Sequence, residues 1–138
     1  MIRILLMVLF AGVGMSATGS ELILAKVDAD IVPGPVEYAV LVPDGYAKLR
    51  DLPLVLNLHG GGGSRANLKG MQPMLDRLWQ NGDIPPAVVV MPSVAERGFY
   101  MNFKDGSERW EDFIVGPFLT HLRQTYPVSS DPKRTFLT

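Results

Sequence analysis

Apolar and polar positions change their rhythm several times along this chain, and each change marks an element. Residues 21–32 alternate loosely, with Leu22, Leu24 and Val27 at apolar positions, which predicts an edge strand. Pro33-Gly34-Pro35 is turn chemistry. Residues 36–42 (VEYAVLV) predict a second strand, and Pro43-Asp44-Gly45 closes it, so the two can pair as an antiparallel hairpin. Residues 52–58 (LPLVLNL) are a short apolar run that stops at glycine, the pattern of a strand buried in a parallel sheet. From Asn67 the spacing becomes helical. Met74, Leu75, Leu78 and Trp79 share one face, Pro73 suits a first helical turn, and Gly82 suits the C-terminal cap. Residues 87–91 (AVVVM) are the clearest β run and end at Pro92. Strand, helix and strand in succession predict a βαβ unit.

The second half repeats the theme. Residues 93–106 form a loop rich in Gly, Tyr, Phe, Asn and Lys, placed after the carboxyl end of a buried strand, where open α/β sheets bind ligands. A second helix is expected to begin near residues 105–107, with Asp105 and Glu108 as a capping box. Its apolar face holds Trp110, Phe113, Ile114, Pro117, Phe118, His121 and Leu122, and Gly116-Pro117 predicts a kink. Tyr126-Pro127 ends it, Asp131-Pro132 turns, and residues 134–138 begin a further strand within which the sequence stops.

Residues 1–19 have a different layout. Arg3 supplies a positive start, residues 4–13 are continuously apolar, and Gly14, Ser16, Ala17 and Gly19 follow. That is the pattern of a secretory signal peptide, with cleavage after Ser16 or Gly19. A buried first strand or helix is the other reading. The apolar run is shorter than the roughly 20 residues that span a bilayer, so no stable membrane span is expected. The chain thus divides into a leader, 1–19, and one domain, 20–138, and points to a secreted or periplasmic protein.

Composition narrows the chemistry. The 138 residues carry a net charge of −1, with two histidines and no cysteine. Disulfides, thiolate metal sites and a cysteine nucleophile are excluded. No basic stripe exists, so no nucleic-acid partner is expected. No His-x-x-x-His pair or carboxylate cluster has metal spacing, so no bound metal is expected.

The candidate chemistry lies at His59 and the four glycines 60–63. Glycines just past a buried strand let the backbone turn sharply and turn its N–H groups toward a ligand, and such a row of amides can hold an oxyanion. Phosphate-loop readings fail. Arg65 stands where a dinucleotide fingerprint needs glycine, and no Lys follows the glycines at Walker spacing. No Gly-x-Ser-x-Gly occurs, and no Ser, acid and His follow in the hydrolase order. Ser64 reads as a helix-entry residue. His59 either orients the loop through its ring or braces the turn from beneath by bonding to backbone, the structural role being favoured. His121 reads as a partly buried, satisfied histidine. Tyr100, Asn102 and Phe103 either line a pocket or form a surface loop packed on its own aromatics. Trp110 and Phe113 read as core, Glu108, Glu111 and Asp112 as carboxylates favoured at a helix start, and Arg97 and Lys104 as solvated loop charges.

Four places carry a family resemblance: residues 52–63 with their Leu-His-Gly turn, IPPAVVVMP at 84–92, Trp110-Glu111-Asp112 after an aromatic loop, and YPVSSDPKRTFLT at 126–138. Through them, residues 36–138 resemble the esterase D-like family of α/β-hydrolases. That group includes S-formylglutathione hydrolases, feruloyl and xylan-acetyl esterases and mycolyltransferases of the antigen 85 type. The resemblance implies the N-terminal half of an α/β-hydrolase fold: an antiparallel edge hairpin, then parallel strands with crossover helices, truncated before the nucleophile elbow. It implies Gly61, then Gly62, as oxyanion N–H donors; His59, Tyr100 and Asn102 are candidates for contact with the substrate on the reading of the residues themselves. It also implies a small ester or acylated-sugar substrate, hydrolysed through a Ser acyl-enzyme whose Ser, acid and His belong to the half not present, with no cofactor. The rival expectations are an inactive or binding-only scaffold and one half of a split hydrolase; the oligomeric state is left open.

Overall fold

The computed structural model of the protein describes residues 19–94 and 99–138. The expected leader, apart from Gly19, and Arg97 lie outside the described residues.

Five strands form one mixed sheet: β1 (Ser20–Val27), β2 (Val36–Pro43), β3 (Leu54–Leu56), β4 (Val88–Pro92) and β5 (Thr135–Leu137), in the order β1-β2-β4-β3-β5. β2 is antiparallel to both β1 and β4, whereas β3 is parallel to β4 and β5. The expected hairpin and βαβ unit are therefore both present. The first strand ends earlier than its pattern suggested, at Val27 instead of residue 32, because the register with β2 closes at the Val27–Val36 pair. β3 is short because Pro53 has no N–H to add to a ladder, but hydrogen bonding continues past it. Asn57 N–H donates to the Val90 carbonyl at 2.8 Å and Leu58 N–H to the Thr138 carbonyl at 2.7 Å.

Strand periodicity divides the core in two. Val36, Tyr38, Val40 and Val42 of β2 join Leu54, Leu56, Val88 and Val90 on one face. Ala39, Leu41, Val89 and Met91 point to the other. That second face is covered by helix α1 (Asn67–Asn81) through Leu68, Leu75 and Trp79. The helix starts at Asn67, six residues before Pro73, because turn bonds from Asn67 and Leu68 N–H to the Ser64 and Arg65 carbonyls set it going. Pro73 thus sits inside the helix, on its exposed side, and Met74 is 43% exposed and does not belong to the buried face. Gly82 ends the helix at φ +74°, as expected.

The first face is covered by a helical run in three parts: α2 (Trp110–Phe113), a π-helical segment (Ile114–Phe118) and α3 (Leu119–Thr125). It buries Trp110, Phe113, Ile114, Phe118 and Leu122. Phe113 stacks on Phe118 at 5.5 Å, and Phe118 meets the Tyr38 ring edge-on at 5.3 Å. The Gly116-Pro117 interruption is taken up by the π-helical segment, in which N–H groups reach back five residues instead of four. The helix begins at Trp110 and not at Asp105. Asp105 accepts from Ser107 N–H and its hydroxyl, and Glu108 accepts from the Trp110 indole N–H at 2.6 Å, so both carboxylates are used locally and no capping box forms.

Leu54 on the interior strand β3 is fully buried, whereas Phe136 on edge strand β5 is 52% exposed. Leu54→Ala should cost about 2–5 kcal/mol in urea unfolding, and Phe136→Ser should change stability by no more than about 0.5 kcal/mol.

Candidate functional site

The four glycines leave the carboxyl end of β3 as a single turn. Gly63 N–H donates to the Gly60 carbonyl at 3.0 Å, and Gly62, the third residue, has φ +74°, the pattern of a type II turn. A side chain at Gly62 would be held in the left-handed region, which disfavours all but glycine. At Gly63 a Cβ would lie 2.8 Å from the His59 Cβ, so the turn closes directly over that side chain. Gly61 faces open space. The Gly61 and Gly62 amides have no protein partner among the described residues, and they border a cavity of about 380 Å³ lined also by Asn57, Asn67 and Met91.

His59 braces this turn from below. Its Nδ1 is 2.9 Å from the Gly60 carbonyl, and its Nε2 is 3.4 Å from the Val94 N–H. A carbonyl only accepts and an N–H only donates, so Nδ1 carries the proton and Nε2 accepts. Both ring nitrogens are committed to backbone, which leaves His59 no free nitrogen for proton transfer. Its own N–H donates to the Tyr100 hydroxyl at 3.1 Å, and the two rings meet edge-on at 5.5 Å. Tyr100 is held at φ +51°, an uncommon conformation for a bulky residue. Burial pushes its hydroxyl up to about 12, outweighing the His59 N–H bond that lowers it. Below that pH the hydroxyl keeps its own proton, for which no acceptor is found among the described residues.

The start of α1 is anchored from three sides. Ser64 N–H donates to Asn67 Oδ1 at 2.8 Å, Ala66 N–H to Ser64 Oγ at 3.2 Å, and Arg65 N–H to Ser93 Oγ at 3.0 Å. The Arg65 guanidinium pairs with Glu37 at 3.0 Å, and Lys26 meets the other Glu37 oxygen at 3.2 Å. Ser64 is thus a helix-entry residue. Ser93 and Val94, just past β4, hold the loop region from the next strand. Only the Pro92 stop hinted at them, since their partners lie on another element.

Of the sequence-predicted residues, His59, Gly61, Gly62 and Tyr100 come together at the end of β3. Asn102 does not join them. Its Oδ1 accepts from Asp112 N–H at 3.3 Å, it pairs with Arg109 in an isolated bridge, and it borders a separate cavity with Phe99, Phe103 and Lys104. Bonds from Asn102 and Arg109 hold the Asp112 carboxyl below its ordinary range. His121 stands away from the loop, with Nε2 2.8 Å from the Tyr38 hydroxyl. A second, apolar groove of about 480 Å³ adjoins the glycine turn and shares Leu58 with it; Leu56, Tyr100, Ile114, Val115 and Leu137 line its walls. Among the described residues, no helix is long and apolar enough to cross a membrane.

The sheet order and the lone antiparallel strand β2 are those of the α/β-hydrolase fold. A ferulic acid esterase superposes with a TM-score of 0.78 at 18% identity, over 87% of this chain and 48% of that one. An S-formylglutathione hydrolase from Agrobacterium tumefaciens gives 0.66 at 19%, over 88% and 49%, and a ferulic acid esterase from the anaerobic fungus Anaeromyces mucronatus gives 0.70 at 15%, over 86% and 48%. These likenesses show the fold, and the chain spans about half the length of the structures it matches. No protein-family model and no curated protein matches the chain.

Two expectations follow. In urea unfolding, Gly61→Ala should fall within about 0.5 kcal/mol of the parent. Gly62→Ala should lose about 1–2 kcal/mol to its left-handed backbone, and Gly63→Ala should be the most damaging because His59 must move. Raised pH should act through Tyr100. The unfolded chain releases this proton near pH 10 and the folded chain near 12, so the unfolded state binds fewer protons in between. Stability therefore falls across that window, and the Tyr126 hydroxyl, which burial also raises, adds to the fall. Tyr100→Phe should lessen the decline, as read from unfolding midpoints between pH 9 and 12.

Proposed function

We propose that residues 20–138 are the oxyanion-loop half of a secreted serine carboxylic ester hydrolase of the esterase D-like type, with residues 1–19 as its export signal. The observation that carries this reading is the pair of unpartnered amides, Gly61 and Gly62, on a braced turn at the carboxyl end of β3. The fold that presents them is also that of solved esterases, one described in complex with ferulic acid. The substrate is a small carboxylic ester or an acylated sugar.

In the proposed reaction a Ser hydroxyl from outside these 138 residues attacks the ester carbonyl and passes its proton to a His. The carbonyl oxygen becomes an oxyanion. Gly61 N–H, with Gly62 beside it, donates to that oxygen, and a second donor comes from the residue after the Ser. Collapse expels the alcohol and leaves an acyl-enzyme, which water then cleaves. Each such donor is worth about 100- to 1000-fold in rate, so these amides assist a nucleophile and cannot replace one. Tyr100, with its proton unspent, lies between the amides and the apolar groove, where it can donate to the substrate. His59 only braces.

The test is the coding DNA after Thr138, followed by an assay. A Gly-x-Ser-x-Gly directly after β5, then an Asp or Glu and later a His, is expected. The longer protein should then hydrolyse p-nitrophenyl esters while the 138-residue chain matches buffer. Absence of that continuation from every frame and neighbouring gene would leave the fold without the reaction, and hydrolysis by the 138-residue chain itself would overturn the assignment of the nucleophile.

A further inference from the structure

A further cavity, of about 410 Å³, is bordered by Tyr46, Arg50, Gln124, Thr125, Tyr126 and Pro127. It lies at the end of the sheet opposite the glycine turn. Leu52 N–H donates to the Pro127 carbonyl at 3.0 Å and Ser129 N–H to the Leu52 carbonyl at 2.8 Å, which places residues 127–129 beside the chain entering β3. No carboxylate lines the cavity, and Arg50 is its only charged residue.

The state of that guanidinium is informative. Nη1 donates to the Ala47 carbonyl at 2.8 Å and the Leu49 carbonyl at 2.5 Å. Those two bonds fasten one corner of the group to the turn that contains the short 3₁₀ helix Tyr46–Lys48. The opposite edge, Nε and Nη2, has no hydrogen-bond or ion-pair partner among the described residues. Those two N–H groups are parallel and coplanar, the fork that accepts both oxygens of a carboxylate. Arg50 is exposed, and its two backbone bonds remove part of the rotamer freedom that binding would otherwise cost. Gln124, Thr125 and Tyr46 add neutral polar residues to the lining, and Ala47 and Pro127 add apolar ones.

We infer that this cavity binds a small carboxylate through the Nε–Nη2 edge of Arg50. It is separate from the glycine turn and independent of the proposed ester chemistry.

The test is a titration of the ¹⁵N-labelled full chain with sodium acetate at constant ionic strength, followed by heteronuclear NMR. Saturable shifts are expected at the Arg50 Nε–H and at the Thr125 and Tyr126 amides. Arg50→Gln should abolish them while the rest of the spectrum stays dispersed. Arg50→Lys keeps the charge but not the fork and should weaken binding, and it decides the matter if Arg50→Gln fails to fold. Shifts that do not saturate, that persist in Arg50→Gln or that are equal in Arg50→Lys would overturn the inference. Saturation by inorganic phosphate but not by acetate would overturn the choice of carboxylate. Gly61 and Gly62 amides report on the other site in the same spectra, so the outcomes at the two sites are read separately.

Discussion

Three residues of β3 are paired on both sides, Leu54 to Leu56 with Val88 to Val90 of β4 and with Thr135 to Leu137 of β5. Everything else leans on that strip. The side chains of Leu54 and Leu56 are packed under the three-part helix, and the partly buried Val55 faces the α1 layer, so the strand can neither slide nor rotate without turning apolar groups to water. Its carboxyl end is therefore a fixed point. The chain leaves that point as a turn without side chains, and its amides inherit the position of the sheet. Preorganisation of this kind makes backbone dipoles effective, because no further ordering is needed when charge develops.

The brace beneath the turn is a single uncharged side chain. His59 binds the Gly60 carbonyl on one side and the Val94 amide on the other, linking the loop after β3 to the loop after β4. The charges Arg65, Glu37 and Lys26 form a chain of two ion pairs on a single carboxylate, with one net positive charge left over. These side chains are between 23% and 60% exposed, so the pairs stabilise the fold little. Their effect is on the field. Glu37 holds the Arg65 guanidinium, which unpaired would compete with the glycine amides for an anionic ligand.

Much of this was legible in the chain. The alternation of residues 36–42 and the apolar run 87–91 announce their strands because burial on one or both faces leaves a direct trace. His59 with its glycines announces the turn because only glycine serves at a positive φ and under a tight contact. The helix starts were less legible. Pro73 signals a first turn by its own preference, yet turn bonds at Ser64 and Arg65 nucleate the helix earlier and the proline is tolerated on the solvent side. Asp105 and Glu108 have capping-box spacing, yet Ser107 and the Trp110 indole claim them first. Local pattern states what a residue can bond to, and tertiary packing decides which partner is nearer. For the same reason Tyr100 and Asn102, two residues apart in one loop, part company. The φ of +51° at Tyr100 turns its ring to His59, while Asn102 closes onto the start of α2.

The apolar groove connects these points. Val115 and Leu137, both largely exposed, flank it, and the fully buried side of the sheet continues into it through Leu56. Edge strands of soluble proteins are usually shielded by charge, proline or a covering element, and β5 has none of these on Phe136 or Leu137. That leaves an open apolar edge beside the glycine amides. Tyr100 lies on the boundary, with its ring in the groove and its hydroxyl on the His59 amide. A group bound along the groove would meet one donor before it reached the glycines. Under the proposed ester chemistry, the apolar groove and the glycine amides would be joined through a single hydroxyl that stays protonated up to about pH 12.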